Sequence, residues 1–261
     1  MLLYMLPGNA QVVADGVLTI ASGTKTVKSY AYADRSDIVK VVFESPCVLT
    51  EIGGYAFLGC SSLREIELPS SLSTLGEGAF RECGSLESIT LPAGVRKLPK
   101  YAFQWCVGLR HVVLPTRLAD IGSGCFAYCE NLEEVTFTES LHHVGANAFS
   151  FCKSLKEVKL PSSVSELESY AFSECVALEA ATLPANPNLL GELIFSGCRS
   201  LKSLRCGSPR PPKFDCNSTI FEDNESFMYD SCTLYVPATA VKAYETAPGW
   251  NLFKKIESIP H

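Results

Sequence analysis

The chain has 261 residues, of which 47% are hydrophobic and 19% are charged, so it can bury a large core and is not compositionally disordered. Its formal net charge is -6, and its lysines and arginines are scattered singly. This pattern argues against a nucleic-acid binder, which needs a basic stripe, and against a polybasic membrane patch. No run of about 18 apolar residues occurs, so we expect no membrane span.

The amino terminus, Met1–Pro7, is apolar but short, and it lacks a basic n-region and a small-residue cleavage site. It therefore does not have the features of a complete signal peptide. Two interpretations stay open at this point: a cytoplasmic protein, or an exported protein whose signal is missing from this sequence. Residues 1–16 are assigned to an N-terminal leader or linker.

A degenerate first repeat is predicted over residues 17–48, because its apolar residues stand 25 positions before their counterparts in the next repeat. It begins with a predicted strand, Val17–Ile20, and carries Tyr32 at the position that corresponds to Phe57. Atypical terminal repeats are expected in a solenoid, since the open end of a stack must be covered.

From there the chain repeats every 23 residues, and a phenylalanine followed three residues later by a cysteine marks each repeat. A leucine stands three residues after each cysteine, from Leu63 to Leu201. A fixed period of about 20 to 50 residues is the signature of stacked repeats, so we predict a solenoid over residues 17–206. The seven copies of the marker are Phe57/Cys60, Phe80/Cys83, Phe103/Cys106, Phe126/Cys129, Phe149/Cys152, Phe172/Cys175 and Phe195/Cys198.

Each repeat is written L-x-x-[IV]-x-L-P-x-x-[LV]-x-x-[IL]-G-x-x-A-F-x-x-C-x-x. Its last two strand positions are apolar and two apart, which predicts a strand with one buried face, and proline ends that strand because it lacks a ladder amide. The following Leu/Ile pair returns the chain along the opposite wall. A glycine column, which includes Gly76 and Gly122, is assigned to a turn that requires backbone freedom. The fold class is a repeat solenoid with a parallel β-sheet ladder, mostly β with irregular connections.

Twelve cysteines invite a disulfide or zinc interpretation. Seven of them lie on the 23-residue period and the sequence contains no C-x-x-C pair, so we predict buried, reduced thiols that behave as small hydrophobes. Cys125 lies off the period and is interpreted as filling an alanine pocket rather than as a reactive thiol. Cys216 and Cys232 remain a candidate disulfide for an exported chain.

The period ends after Cys206, and residues 207–261 are assigned to a C-terminal cap. A proline-rich breaker and a polar loop precede a predicted strand, Thr233–Val236. Residues 238–247 are predicted to form one helix, because their apolar side chains share a face and a Pro-Gly pair stops the helix.

The repeat resembles the BspA-like (Treponema pallidum type) bacterial leucine-rich repeats over residues 17–206. The resemblance rests on the L-x-x-[IV]-x-L-P strand, as at Leu155–Pro161, and on the A-F-x-x-C block, as at Ala148–Cys152. It implies a leucine-rich repeat fold, a secreted or cell-surface location, and adhesion or host-protein binding. The family motif contains no catalytic residues, so none is carried over.

Few residues are candidates for chemistry. The histidines are His111, His142, His143 and His261, and each is interpreted as a solvated surface side chain. His142 and His143 are adjacent, so on extended backbone they point to opposite sides and make a poor metal pair. No nucleophile elbow, P-loop, dinucleotide fingerprint or metalloprotease helix occurs. We therefore predict no enzyme, no metal and no cofactor.

The predicted binding face is the outward side of the strand ladder, where residues vary from repeat to repeat while inward residues do not. Outward variety is what a binding face permits, and an extended polar sheet roughly 40 Å long suits protein or glycan recognition. The candidate residues are Glu65, Glu67, Ser88, Thr90, His111, Val113, Glu134, Thr136, Glu157, Lys159, Thr182 and Arg205.

Together with the repeat, the family resemblance implies a non-enzymatic, secreted or cell-surface module that binds a host matrix or plasma protein, another protein, or a glycan. We expect a monomer that binds no nucleic acid. A cytoplasmic interaction scaffold or regulator is the alternative, because the sequence shows many thiols and no visible signal peptide. An enzyme that uses Cys125 or a histidine is a third hypothesis.

Overall fold

A computed structural model describes residues 13–214, 219–221 and 226–260. Over these residues the chain winds into a solenoid of short strands joined by turns, with two short helices near the carboxyl terminus. The elements are β1 (Val13–Ala14), β2 (Val17–Ile20), β3 (Thr26–Val27), β4 (Lys40–Phe43), β5 (Glu51–Ile52), β6 (Glu65–Ile66), β7 (Thr74–Leu75), β8 (Ser88–Thr90), β9 (Lys97–Leu98), β10 (His111–Val113), β11 (Asp120–Ile121), β12 (Glu134–Val135), β13 (His143–Val144), β14 (Glu157–Lys159), β15 (Glu166–Leu167), β16 (Ala180–Leu183), β17 (Leu189–Leu190), β18 (Ser203–Cys206), α1 (Ser226–Ser231), β19 (Thr233–Val236), α2 (Val241–Tyr244) and β20 (Lys255–Ser258).

The first wall of the solenoid is a strand ladder built from the L-x-x-[IV]-x-L segments. Residues one repeat apart are in parallel register, as His111 is with Ser88 and with Glu134. Residues 23 positions apart in the sequence therefore lie on adjacent strands, about 4.8 Å from each other. The ladder forms three sheets, ordered β1-β2-β4-β6, β8-β10-β12 and β14-β16-β18-β19-β20. Its two interruptions, after β6 and after β12, were not predicted from the sequence.

The opposite wall is a second ladder of two-residue strands, formed by the predicted return segments. Its sheets are ordered β3-β5-β7 and β9-β11-β13-β15-β17. The second residue of each strand points inward, so that Leu75, Leu98 and Ile121 are buried. The two ladders enclose the core between them.

The core is organised by the phenylalanine column. Consecutive rings from Phe57 to Phe195 stack with centroids 5.2–5.9 Å apart and nearly parallel planes. Each of these rings is fully buried. The centroid spacing exceeds the strand spacing slightly, which is the offset that parallel aromatic rings prefer.

The cysteine column is buried and its thiols are free, as predicted, but they also act as hydrogen-bond donors. Sγ of Cys83 lies 3.2 Å from the carbonyl oxygen of Phe57, and Sγ of Cys106 lies 3.0 Å from that of Phe80. The same contact recurs along the column. Burial raises the pKa of Cys106 to about 12, which keeps its thiol protonated. The cysteines of the column were predicted to act only as small hydrophobic side chains. That prediction is incomplete, because their thiols also donate hydrogen bonds to backbone carbonyls.

The cysteines off the period divide into two cases. Cys125 is fully buried in the alanine column, which confirms that it fills the alanine pocket. Burial raises its thiol pKa well above the usual value, so it is not a ready nucleophile. Cys216 lies outside the described residues. Cys232 is buried with a free thiol, so the candidate disulfide between the two is absent from this structure.

Glycine is required in the glycine column because the backbones of successive turns approach each other closely there. The prediction that these glycines supply backbone freedom at a turn is wrong. A Cβ at Gly76 would lie 2.2 Å from the backbone nitrogen of Gly54, and one at Gly191 would lie 2.2 Å from that of Ser169. The backbone of the preceding turn therefore occupies the space that a side chain on the glycine would need. Positive φ falls two residues later in the repeat, for example at Tyr101 with φ 61°.

Each end of the first ladder is extended by non-repeat strands. At the amino end β1 pairs antiparallel with β2 through an Asp15-Gly16 turn, whose φ angles of 51° and 80° fit a two-residue hairpin. Residues 13–16 thus belong to the sheet and not to a linker. At the carboxyl end β19 and β20 continue the parallel order of β18, and β19 has the predicted bounds.

The helices of the cap differ from the prediction. Helix α2 is shorter at both ends than the predicted residues 238–247, and Ala240 at its start makes no side-chain hydrogen bond that would cap the first turn. Helix α1 lies in the stretch that was predicted as a polar loop. Tertiary contacts hold the cap: the Tyr244 hydroxyl donates to the Ser208 carbonyl at 3.0 Å, and Trp250 Nε1 donates to the Pro212 carbonyl at 2.8 Å.

Candidate binding face

The predicted face is the outward side of the first ladder. In β8 the side chains of Ser88 and Thr90 are exposed while Ile89 between them is buried, and β10 and β14 show the same alternation. Of the twelve candidate residues Thr182 is half-buried and the others are exposed. The structure thus brings the candidates together on one surface, and their role in binding stays a prediction.

Several charges on this face are already satisfied within it. Lys40 pairs with Glu65 at 2.7 Å, and Lys159 pairs with Glu157 at 2.7 Å. These side chains are exposed, so solvent screens each ion pair and the pair adds little to stability. Replacing these ion pairs by ion pairs to a partner therefore costs little free energy.

The column that precedes each strand alternates in charge from repeat to repeat. Arg110 pairs with Glu133 at 3.2 Å, and Lys202 pairs with Glu179 at 3.1 Å. Lys156 stands between these two pairs, and its ammonium group has no ion-pair partner among the described residues. Among the described residues, this column thus has two cations without an ion-pair partner: Arg64, before the interruption that follows β6, and Lys156, at the interruption between β12 and β14.

That interruption carries a depression in the face. The backbone N–H of Glu179 donates to the carbonyl of Lys156, but the N–H of Lys156 does not donate to the carbonyl of Glu133 one turn earlier. Val135 is half-exposed, whereas its counterpart Val158 is buried. The opening has a volume of about 810 Å³. We call it the strand-face depression, and its lining includes Glu134, Val135, Phe137, Glu139, Lys156 and Leu160.

The depression coincides with a departure from the Leu-Pro consensus that could have marked it in the sequence. Phe137 and Thr138 replace the leucine and proline that stand at this point in five of the other repeats, as at Leu160 and Pro161. The Phe137 ring packs edge-on against Phe149, with centroids 5.6 Å apart. Thr138 Oγ1 is buried without a hydrogen-bond partner in the described structure.

His143, on the second ladder, is not the solvated side chain that was predicted. Its Nδ1 lies 3.1 Å from Asp120 Oδ1 and its Nε2 lies 3.0 Å from Glu168 Oε1. Ionised carboxylates only accept hydrogen bonds, so both ring nitrogens donate and the imidazole is cationic. Burial lowers the His143 pKa, but the hydrogen bonds from the two carboxylates outweigh it and the net shift is upward. His111 and His142 are exposed as predicted, and His261 lies outside the described residues.

In residues 13–214, 219–221 and 226–260, no group of three His, Cys, Asp or Glu side chains is arranged to hold a metal ion. The period cysteines are buried, and burial raises the pKa values of those with a resolved shift. No helix within the same ranges is long and apolar enough to cross a membrane.

Comparison with sequence families agrees with the repeat geometry. The family model for the BspA type leucine rich repeat region matches in six copies, over residues 25–153 and 119–210. The chain belongs to the BspA-type leucine-rich repeat family. BspA-type repeats are typically non-enzymatic modules for protein interaction, and the proteins that carry them are often secreted or surface-exposed.

Solved structures of bacterial leucine-rich repeat proteins share the fold. The T. pallidum leucine rich repeat protein (TpLRR) is 26% identical, with a TM-score of 0.50, over 73% of this chain and 77% of that one. A leucine-rich repeat protein from Bacteroides ovatus is 24% identical, with a TM-score of 0.60, over 93% of this chain and 62% of its own length. One from Eubacterium ventriosum is 19% identical, with a TM-score of 0.50, over 99% and 84%. A comparison with curated proteins gave no match.

Proposed function

We propose that this BspA-type protein is a secreted or cell-surface module that binds a protein partner through the outward face of the first ladder, in adhesion or host-protein binding. The observation that carries the proposal is the contrast between the two sides of the ladder. Inward positions such as Ile66, Ile89 and Val158 are uniform and buried, whereas outward positions are exposed and differ from repeat to repeat.

The frame behind the face makes it suitable for recognition. Outward residues of the paired strands, such as Ser88, Thr90 and His111, are held by ladder pairing, and the stacked phenylalanine column lies in the core beneath them. A preorganised surface loses little conformational entropy when it binds, so more of the contact energy appears as affinity.

The test is a charge-reversed variant of the face that carries Glu65→Lys, Glu67→Lys, Lys159→Glu and Arg205→Glu, which leaves the net charge unchanged. The purified chain is screened on an array of extracellular-matrix proteins, plasma proteins and mucosal glycans. For a protein that the wild type captures, we expect the variant to bind at least about tenfold more weakly, because charges at an interface set both complementarity and association rate.

A matched control reverses four charges on or beside the second ladder: Glu51→Lys, Glu166→Lys, Lys25→Glu and Lys28→Glu. These residues are exposed and the net charge again stays the same. We expect the control to bind as the wild type does, with both variants unchanged in circular dichroism. Equal binding by all three proteins would reject the first-ladder face as the site.

Location is tested separately in the cells that produce the protein. If the protein is displayed on the cell surface, protease added to intact cells should remove it. If it is secreted, it should collect in the medium. Full protection inside intact cells would instead support the cytoplasmic scaffold.

A further inference from the structure

We infer that the strand-face depression anchors the partner, and that it takes a large apolar side chain of a peptide segment that carries a lysine or arginine beside it. The inference deepens the proposed function and rests on it. It names the point on the first ladder where binding is concentrated and the chemistry of the segment that fits there.

The floor of the depression selects an apolar group. Val135 and Phe137 are half-exposed there, and Leu160 and Pro161 close the next turn. Water in contact with these side chains is released when an apolar group replaces it. Burial of one large apolar side chain strengthens binding by about ten- to a hundredfold, which is enough to make this the dominant contact of a polar face.

The volume of the depression sets the size of the occupant. At about 810 Å³ it falls within the range of ligand sites, which is about 300 to 1,000 Å³. It therefore accepts one or a few side chains of a partner and not a folded element. The lining is continuous with the exposed strand residues His111, Thr136 and Lys159, so the rest of a peptide can lie along the face.

The rim selects a cation beside that apolar group. Four glutamates and two lysines line the depression, so its rim is net acidic. Glu133 is paired with Arg110 and Glu157 with Lys159. In the described part of the chain this leaves Glu134, Glu139 and the cation Lys156 without ion-pair partners, a net of one negative charge. A partner lysine or arginine is complementary to Glu134.

Two features favour a peptide over a glycan. Sugars usually stack on broad aromatic faces, and the lining holds one phenylalanine, the half-buried Phe137, with no tyrosine or tryptophan. The backbone N–H of Lys156 donates to no acceptor among the described residues, and a peptide carbonyl over the interruption would satisfy it.

The experiment begins with a random dodecapeptide phage library panned on the full chain. We expect enrichment of sequences in which an aromatic or branched aliphatic residue stands next to lysine or arginine. The most enriched dodecapeptide is then synthesised with a fluorescein label, and its affinity is measured by fluorescence anisotropy.

Two single variants test the floor and the rim with that peptide. Phe137→Leu restores the residue found at this position in other repeats, so the fold should be kept, and Glu134→Lys reverses the free carboxylate. Each should weaken binding by about tenfold or more. Glu166→Lys, which reverses an exposed glutamate of β15 on the second ladder, is the matched control and should bind as the wild type does.

The outcomes separate this inference from the proposed function. Panning without such a motif, or wild-type affinity in both depression variants, would overturn the inference. Capture of an arrayed glycan that Phe137→Leu abolishes would also overturn it, in favour of a sugar. If the four-charge variant loses an arrayed partner that both depression variants retain, the proposed function stands and the inference fails.

Discussion

The clearest test of the core is the truncation of one period cysteine, Cys129→Ala. Cys129 is fully buried, and its Sγ lies 3.2 Å from the carbonyl oxygen of Phe103. Removal of a sulfur loses burial energy comparable to one methylene, about 0.8 kcal/mol, and leaves a small cavity. Loss of the hydrogen bond adds about 0.5 kcal/mol or more, since thiols are weak donors. We expect the free energy of unfolding to fall by about 2 kcal/mol.

Two further substitutions at this position separate volume from hydrogen bonding. Cys129→Val removes the donor and has a slightly larger side chain than cysteine. It should cost about 1 kcal/mol, because the Phe103 carbonyl still accepts the Cys106 amide. Cys129→Ser keeps a hydrogen-bond donor in a smaller side chain. Its free energy of unfolding should lie between those of Cys129→Val and Cys129→Ala. The assay is urea unfolding followed by circular dichroism, which gives the free energy by linear extrapolation.

Val107→Ala serves as the control because the Val107 side chain is exposed, and its effect should stay within about 0.5 kcal/mol. Wild-type stability in Cys129→Val would show that the thiol donor adds nothing. An alanine variant as stable as the wild type would refute the packing argument as well.

Three other predictions concern the spine, the close turn and the second ladder. Phe126→Ala should cost about 3 to 5 kcal/mol in urea unfolding, since it opens a cavity between two stacked rings. Gly76→Ala should cost about 1 to 3 kcal/mol, because its Cβ meets the Gly54 backbone, while Gly84→Ala, with its nearest contact at 3.7 Å, should be nearly neutral. The His143 pKa is raised on folding, so its stabilisation is fully present below about pH 6.5 and is lost as pH rises through the raised pKa. Wild type and His143→Gln should therefore converge in stability at alkaline pH.

The repeat was predictable because identical residues recur at one spacing, and stacking is the arrangement that buries all of them together. Val17–Ile20 and Thr233–Val236 form strands with the predicted bounds, and the phenylalanine and cysteine columns are buried as expected. The helix over residues 238–247 was overestimated, since periodicity marks its apolar face but not the missing cap at Ala240.

The candidate face was predictable as a set of outward positions, because strand alternation alone separates outward from inward residues. The depression within it was not, although Phe137 and Thr138 visibly break the consensus. Whether Phe137 in place of leucine and Thr138 in place of proline open the surface depends on how the neighbouring turns pack. That packing includes the edge contact between Phe137 and Phe149, which the sequence does not reveal. The His143 site was missed for the same kind of reason, since its two carboxylates lie 23 and 25 residues away.

By itself, the sequence determined the solenoid, its period, and the identity of the buried columns, because these follow from a repeated pattern of apolar residues. The tertiary structure decided the contacts between turns: the thiol donors, the crowded glycines, the cationic His143 and the strand-face depression. Such contacts depend on which side chains of neighbouring repeats meet at a spacing of about 4.8 Å, and a linear pattern does not contain that information.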